Sequence, residues 1–118
     1  MERPGHQLVV AIVAEELAAK VMDAARDAGG RAVTVVRGRG RDLVRPPTFF
    51  GMPIEPSREI LYLVTDHASA DRVMDAIRDA GELLRPGRGL AFAIELSRVD
   101  GLLPPLDAPT TPGGRHGT

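Results

Sequence analysis

Two short runs of glycine and arginine hold the residue types best suited to binding an anion. They are Gly38-Arg39-Gly40-Arg41 and Pro86-Gly87-Arg88-Gly89. Glycine lets a backbone approach a ligand closely, and successive free N–H groups can cradle an anion. Arginine adds a fixed charge and a fork that matches phosphate oxygens. Between residues 37 and 58, five Arg are set against Asp42 and Glu55 alone, a surplus of three positive charges in a chain of net charge −1. Two such turns at equivalent places would converge on one phosphate-bearing ligand, within a subunit or across an interface. Plainer readings stand beside this one: a solvated loop whose charge serves solubility, and a tight turn leading into a strand.

No enzymatic constellation accompanies these runs. His6, His67 and His116 are scattered and read as surface or cap residues. Asp23, Asp27, Asp75 and Asp79 recur at i, i+4 beside Arg26 and Arg78, the pattern of a solvated helix face and not of an acid/base pair. The chain has no Cys, which removes disulfides, thiolate metal sites and cysteine nucleophiles together. No Ser sits in a nucleophile elbow. The expectation is a protein without catalytic residues or a metal site, and not an enzyme. Phe49-Phe50, ahead of Gly51-Met52-Pro53-Ile54, would make either a partner-docking knob or a locally packed pair.

The elements that position these residues are set by a repeat. Val21-Met22-Asp23-Ala24-Ala25-Arg26-Asp27-Ala28-Gly29 returns with one substitution as Val73-Met74-Asp75-Ala76-Ile77-Arg78-Asp79-Ala80-Gly81. Leu17, Ala18, Val21, Ala25 and Ala28 form one apolar stripe at helical spacing; Ala70, Val73, Ile77, Ala80 and Leu84 form the other. Each repeat ends at Gly, which can turn the chain left-handed past a helix. Apolar runs flank both helices, at 7–13, 31–37, 59–65 and 90–96. Two β-α-β units in one 118-residue chain predict an α+β, ferredoxin-like βαββαβ sandwich. Its four-stranded antiparallel sheet would carry two helices on one face. Chance similarity in an Ala/Asp/Arg-rich chain is the competing account of the repeat.

Glu15 and Glu16 are placed to open the first helix, and Asp66 or Ser69 to cap the second, over 68–80. Seven Gly and Pro residues between 38 and 57 exclude a helix or an interior strand there, leaving a loop of a length that is usually functional or disordered. From residue 101 to 118, eight of eighteen residues are Gly or Pro, and a disordered tail is expected after a domain spanning 1–100. The longest apolar run has seven residues, too short to span a membrane, and no signal peptide opens the sequence, so the cytoplasm is the expected compartment.

The strands are apolar at nearly every position. Two helices cover only one face of a four-stranded sheet, so the other face should be buried by identical subunits, or else by the tail. RNA binding on that face would need basic, glycine-rich aromatic strands, and only Tyr62 and Phe92 are sheet aromatics. No nucleic-acid partner and no membrane insertion are expected.

With these residues in place, the chain over about residues 7–101 resembles the nitrogen regulatory P-II signalling family, in particular its divergent PII-like members. The resemblance rests on element order, on Thr34-Val35-Val36-Arg37-Gly38-Arg39-Gly40-Arg41 leading into a long loop, and on Asp71-Arg72-Val73-Met74-Asp75-Ala76-Ile77. It rests also on Gly87-Arg88-Gly89-Leu90-Ala91-Phe92 and on Phe50-Gly51-Met52-Pro53-Ile54-Glu55-Pro56. It implies a homotrimer that binds ATP, ADP or a related nucleotide such as AMP between subunits, none of it tightly held. The segment 38–57 would be the T-loop, docking onto a membrane transporter or metabolic enzyme through Arg45, Phe49, Phe50 and Met52. Gly38, Gly40 and Arg41 would lie at the nucleotide from one side, and Gly87, Arg88 and Gly89 would form the B-loop around the phosphates. Thr34 would be an adenine-side contact. The chain departs from the family's main branch in three ways. Leu90 stands where a basic residue follows the B-loop, Gly101-Leu102-Leu103-Pro104-Pro105 supplies no arginine, and 38–57 holds no Tyr for uridylylation. A different nucleotide or small anion is equally open. The alternatives from other classes are a ligand-independent interaction module and an ACT-like small-molecule-binding regulatory domain.

Overall fold

A computed structural model describes residues 5–102. The expected tail lies outside them beyond Leu102, and so does His116. Strand β1 (His6–Ala14) passes through a 3-10 turn (Glu15–Leu17) into helix α1 (Ala18–Asp27), and β2 (Val33–Arg39) follows. The long loop holds two short strands, β3 (Thr48–Phe49) and β4 (Met52–Pro53), paired as a hairpin of their own. Then come β5 (Ser57–Asp66), helix α2 (His67–Ala80) and β6 (Gly89–Leu96). The main sheet runs in the order β2-β5-β1-β6, with every neighbouring pair antiparallel. This is the expected ferredoxin-like βαββαβ sandwich.

Strand periodicity separates the two faces of the sheet. Val9, Ala11 and Val13 of β1 and Leu61 and Leu63 of β5 pack against Ala18, Val21 and Ala25 of α1 and Val73, Ile77 and Ala80 of α2, all 7% exposed or less. The intervening residues point the other way. Leu8, Val10 and Ile12 are flanked in register by Val64, Tyr62 and Ile60 on one side and by Ile94, Phe92 and Leu90 on the other. Thr34 and Val36 extend this face across β2. Among the described residues nothing covers it, and Leu90 is 51% exposed and Ile94 48%.

Both halves of the repeat fold alike, down to their surface charges. Arg26 pairs with Asp23 and Asp27, and Arg78 pairs with Asp75 and Asp79, all exposed. Such pairs contribute only tenths of a kcal/mol each, so the repeat's stabilising part is its apolar stripe.

The helix ends differ from the sequence expectation in one respect. Each helix closes with the paired hydrogen bonds of a Schellman turn, Gly30 N–H to Ala25 O and Gly29 N–H to Arg26 O in the first, Leu83 N–H to Arg78 O and Glu82 N–H to Asp79 O in the second. In the first, Gly29 takes the positive φ, at 124°. In the second, Gly81 stays right-handed at φ −86° and Glu82 takes the turn at φ 55°. The turn comes one residue later, so helical phase is lost before residue 84. Leu83 packs onto the core, and Leu84 is 84% exposed instead of joining the stripe.

Glu15 and Glu16 also lie outside α1 proper, in the 3-10 turn, where they meet Arg37 at 3.4 Å and Arg88 at 3.5 Å. Asp66 is the cap of α2, accepting from the Ser69 N–H at 3.1 Å. The Ser69 hydroxyl, and after it the Ser69 N–H, hold the Asp66 carboxyl below its ordinary range. Thr65 beside it is 2% exposed, and its hydroxyl has no hydrogen-bond partner among the described residues.

Candidate functional site

The antiparallel pairings bring four strand ends to one end of the sheet. There β2 ends, β5 begins, β1 ends and β6 begins. Gly38 pairs with Arg58, Arg58 with Ala14, and Val13 with Gly89. The root of the long loop and the glycine turn 86–89 therefore share this end, at opposite edges of a sheet about 14 Å wide between its outer strands. Strand β2 runs two residues further than its apolar pattern suggested, so Gly38 and Arg39 belong to an edge strand and not to the loop. Edge pairing with β5 permits this, because a glycine weakens but does not forbid a strand. The loop proper is closed at its base by the Gly40 N–H donating to the Pro56 carbonyl at 3.2 Å.

The glycine turn has a fixed shape. Gly87 has φ 77° and Gly89 φ 134°, both in the region that side chains resist. A Cβ on Gly89 would overlap the carbonyl oxygen of Ile12, so β6 begins pressed against the backbone of the central strand. Arg58 reaches across from β5 and fastens this turn. Its two terminal nitrogens donate to the carbonyls of Arg88, at 3.0 Å, and Gly87, at 2.8 Å.

Between root and turn lies an open cleft of about 390 Å³, lined by Ile12, Gly40, Arg41, Asp42, Arg58, Gly87, Gly89 and Leu90. A second hollow of about 420 Å³ adjoins it, sharing Asp42, Arg58 and Gly87 and adding Arg45. Asp42 is occupied locally: its carboxylate accepts from the N–H of Val44 at 2.8 Å and of Arg45 at 3.2 Å. Those two bonds, the Val44 one first, hold its pKa below the usual carboxylate value. Arg41 is only loosely engaged, 4.0 Å from Glu55. The cleft thus presents cations and glycine backbone, the chemistry of an anion site.

The structure brings Gly40, Arg41, Gly87 and Gly89 together around this cleft, with Gly38 just behind on β2. It places Arg88 differently. The Arg88 guanidinium sits 3.5 Å from Glu16 and 3.4 Å from Glu82, and only its carbonyl joins the network at the cleft. Thr34 lies four residues back along β2, opposite Tyr62 on the uncovered face. Within one chain it is about 13 Å of strand away from Gly38. Arg58 is the residue that sequence reasoning missed as a site residue. It followed the last proline of the loop and counted only towards the local charge; its reach to the glycine turn depends on a strand pairing that no local pattern encodes.

The loop carries its apolar residues on the β3–β4 hairpin. Phe50 at φ 52° and Gly51 at φ 80° are the two positive-φ residues a tight hairpin turn of matching twist requires. Phe49 and Phe50 stack edge to face with centroids 4.3 Å apart, and Phe50 is 90% and Met52 67% exposed. Ile54 N–H closes the hairpin onto the Pro47 carbonyl at 3.1 Å. Arg45 stands exposed beside it.

A larger cleft, about 490 Å³, lies at the opposite end of the sheet around His6, His67, Glu95 and Arg98. Its charged groups are closely paired, His67 with Glu95, which also accepts from Gln7, and Arg98 with the neighbouring Asp100, so it offers an anion less than the two arginines of the glycine cleft do. No three His, Asp or Glu among the described residues come together as a metal site. No helix among them is long and apolar enough to cross a membrane.

No family model matches the chain, and no curated protein matches its sequence. Solved structures do match. PII of Arabidopsis thaliana, crystallised with citrate bound, superimposes with a TM-score of 0.62 at 24% identity, over 79% of this chain and 78% of that one. The chain has the PII fold. In this chain the root of the long loop and the glycine turn are joined at one end of the sheet by the hydrogen bonds of Arg58.

Proposed function

We propose that this chain is a PII-like regulatory signalling protein and not an enzyme. It senses a small anionic ligand, an adenine nucleotide by preference, and controls a partner transporter or metabolic enzyme through the loop at 40–56. The observation that carries the reading is the cationic glycine cleft at the root of that loop, lined by Gly40, Arg41, Arg58, Gly87 and Gly89. A ligand there touches the segment that must change. Differential affinity is the mechanism: the ligand favours one loop conformation, and the partner binds that conformation better. The uncovered apolar face, with Tyr62, Phe92 and Ile94 exposed, supports burial against identical subunits, for which a homotrimer is the proposed assembly; Thr34, opposite Tyr62 on that face, would then lie at a subunit contact. The cytoplasm is the compartment this role implies. No nucleic acid or membrane insertion is part of it.

The test is isothermal titration with ATP, ADP and AMP, with and without Mg²⁺, and with citrate because the Arabidopsis protein holds it. Saturable binding that weakens in Arg41→Ala supports the sensor. Absence of heat with all four, from folded protein, would overturn it. A second reading has one observation in its favour. The hairpin bearing Phe49 and Phe50 is held by its own pairing and by the Ile54 N–H bond to the Pro47 carbonyl, which suits an interaction module that needs no ligand. Partner binding unchanged by every nucleotide would select that module.

A further inference from the structure

We propose that Glu82 and Glu16 mask Arg88 and thereby grade the glycine cleft by ligand charge. An anion that Arg41 and Arg58 satisfy leaves Arg88 on its carboxylates; a more highly charged one draws it in. The proposal rests on the anion-sensing reading above and names the residues that set which anions the cleft prefers. Arg88 stands between Gly87 and Gly89, which both line the cleft, yet only its carbonyl is used there, accepting from Arg58 at 3.0 Å. Its guanidinium does not line the cleft and is taken up by two carboxylates. Nε lies 3.4 Å from Glu82 and Nη1 3.5 Å from Glu16. Arg88 and Glu82 are half-buried against each other, whereas Glu16 is exposed and the looser partner.

The backbone of Glu82 is an independent sign that this carboxylate is not there for stability. Gly81 precedes it and keeps φ −86°, while Glu82 itself takes the left-handed turn at φ 55°. Glycine or asparagine adopts that conformation more easily than glutamate, and strain of this kind gathers at functional positions. Backbone bonds hold it on both sides: the Glu82 N–H donates to the Asp79 carbonyl at 3.2 Å, and the Glu82 carbonyl accepts from the Arg85 N–H at 3.0 Å. The carboxylate so placed meets Arg85 at 3.0 Å as well as Arg88. Pairs this open to solvent stabilise a fold little, so their effect is on where the Arg88 charge can go. Carboxylate and phosphate compete for the same guanidinium fork. Arg41 and Arg58 bring two positive charges, enough to match one phosphate group. A triphosphate or a tricarboxylate carries more, and only such an anion gains by pulling Arg88 away from Glu82 and Glu16.

Two measurements on the intact chain test the mask, with Glu16→Gln and Glu82→Gln combined in one variant. The first needs no ligand. An arginine-specific dicarbonyl reagent, followed residue by residue by mass spectrometry, should modify Arg88 about fivefold faster in the variant than in the wild type, the factor expected for release from two exposed ion pairs. Arg45 serves as the reference whose rate stays the same. Equal rates at Arg88 would overturn the mask. The second is isothermal titration with ATP, citrate and AMP. The variant should bind ATP and citrate about fivefold more tightly. AMP should gain less than about twofold, the screened effect of removing two negative charges. Adding Arg88→Gln to the variant should abolish the gain for ATP and citrate. A gain that survives Arg88→Gln, a gain as large for AMP as for ATP, or no gain for an anion that the wild type binds overturns the proposal. Failure of the anion-sensing reading looks different: none of the three binds either protein, while the dicarbonyl rates still decide whether the two carboxylates hold Arg88.

Discussion

Gly87 and Gly89 lie two residues apart in one turn, yet replacing each by alanine should have very different consequences. Gly87 has φ 77° and open space around the position a Cβ would take. Gly87→Ala therefore carries only the penalty of a side chain in the left-handed region, about 1–2 kcal/mol. Gly89 has φ 134°, and its Cβ would overlap the Ile12 carbonyl oxygen while lying 3.0 Å from the Ile12 carbonyl carbon and 3.3 Å from the Val13 Cα. These are backbone atoms of the central strand and cannot rotate away. The first rung of β6, where Gly89 faces Val13, must open. Polar groups left unmade there add about 1–3 kcal/mol, for a total of about 2–5 kcal/mol. The assay is urea unfolding followed by circular dichroism, at one protomer concentration because assembly would make stability concentration-dependent. With a slope of about 2 kcal/mol/M, the midpoint should fall by roughly 0.5–1 M for Gly87→Ala and by about 1–2.5 M for Gly89→Ala. Equal midpoints for the two variants, with equal slopes, would refute the reasoning, because the difference rests wholly on the approach to Ile12.

Substitutions at four other positions have outcomes of their own. Phe92→Asp, on the uncovered face beside Val10, should turn the proposed trimer into a monomer in light scattering after size exclusion; an unchanged mass would show that this face is not the contact. Thr65→Val replaces a buried hydroxyl that has no partner among the described residues by a methyl of the same shape and should raise stability by about 1 kcal/mol in the same urea assay. Asp66→Ala should lower stability by about 1 kcal/mol at pH 7 through loss of the α2 cap. The Asp66 carboxyl titrates below its ordinary 3.8 in the folded chain, so its charged contribution is complete above that value and fades as pH falls beneath it; Asp66→Asn should flatten this acid limb of the stability profile. Phe50→Asn suits the positive φ of the hairpin and removes its exposed ring, so it should leave stability within about 0.5 kcal/mol while weakening partner binding in a pull-down.

The helices and sheet were legible because period and duplication agree: the stripes Ala18-Val21-Ala25 and Val73-Ile77-Ala80 face the core as their spacing requires. What local pattern could not supply was the partner of each group. Gly81 carries the sequence mark of a helix stop, but Glu82 makes the turn, and the choice between Leu83 and Leu84 as core residue follows from that single step. Arg88 has the look of a cleft cation, but two carboxylates distant in sequence or set by the same turn, Glu16 and Glu82, claim it. Gly38 reads as loop and is strand because β5 offers it Arg58 as a partner. The hairpin at the loop tip announces itself only by Phe50-Gly51, a weaker turn signal than Asn-Gly.

The single bond from Gly40 to Pro56 has a consequence for how such a chain can diversify. It closes the loop where the loop leaves the sheet, so the fifteen residues from 41 to 55 hang from a sealed junction. Chain length beyond a closed junction is cheap: doubling it costs only about 0.6 kcal/mol in closure entropy. Insertions, deletions or a transplanted segment between Asp42 and Glu55 should therefore be tolerated by the sheet while Arg41 and Asp42, which line the cleft beneath, stay in place. One exposed stretch can thus be rewritten while the cleft at its root keeps its lining.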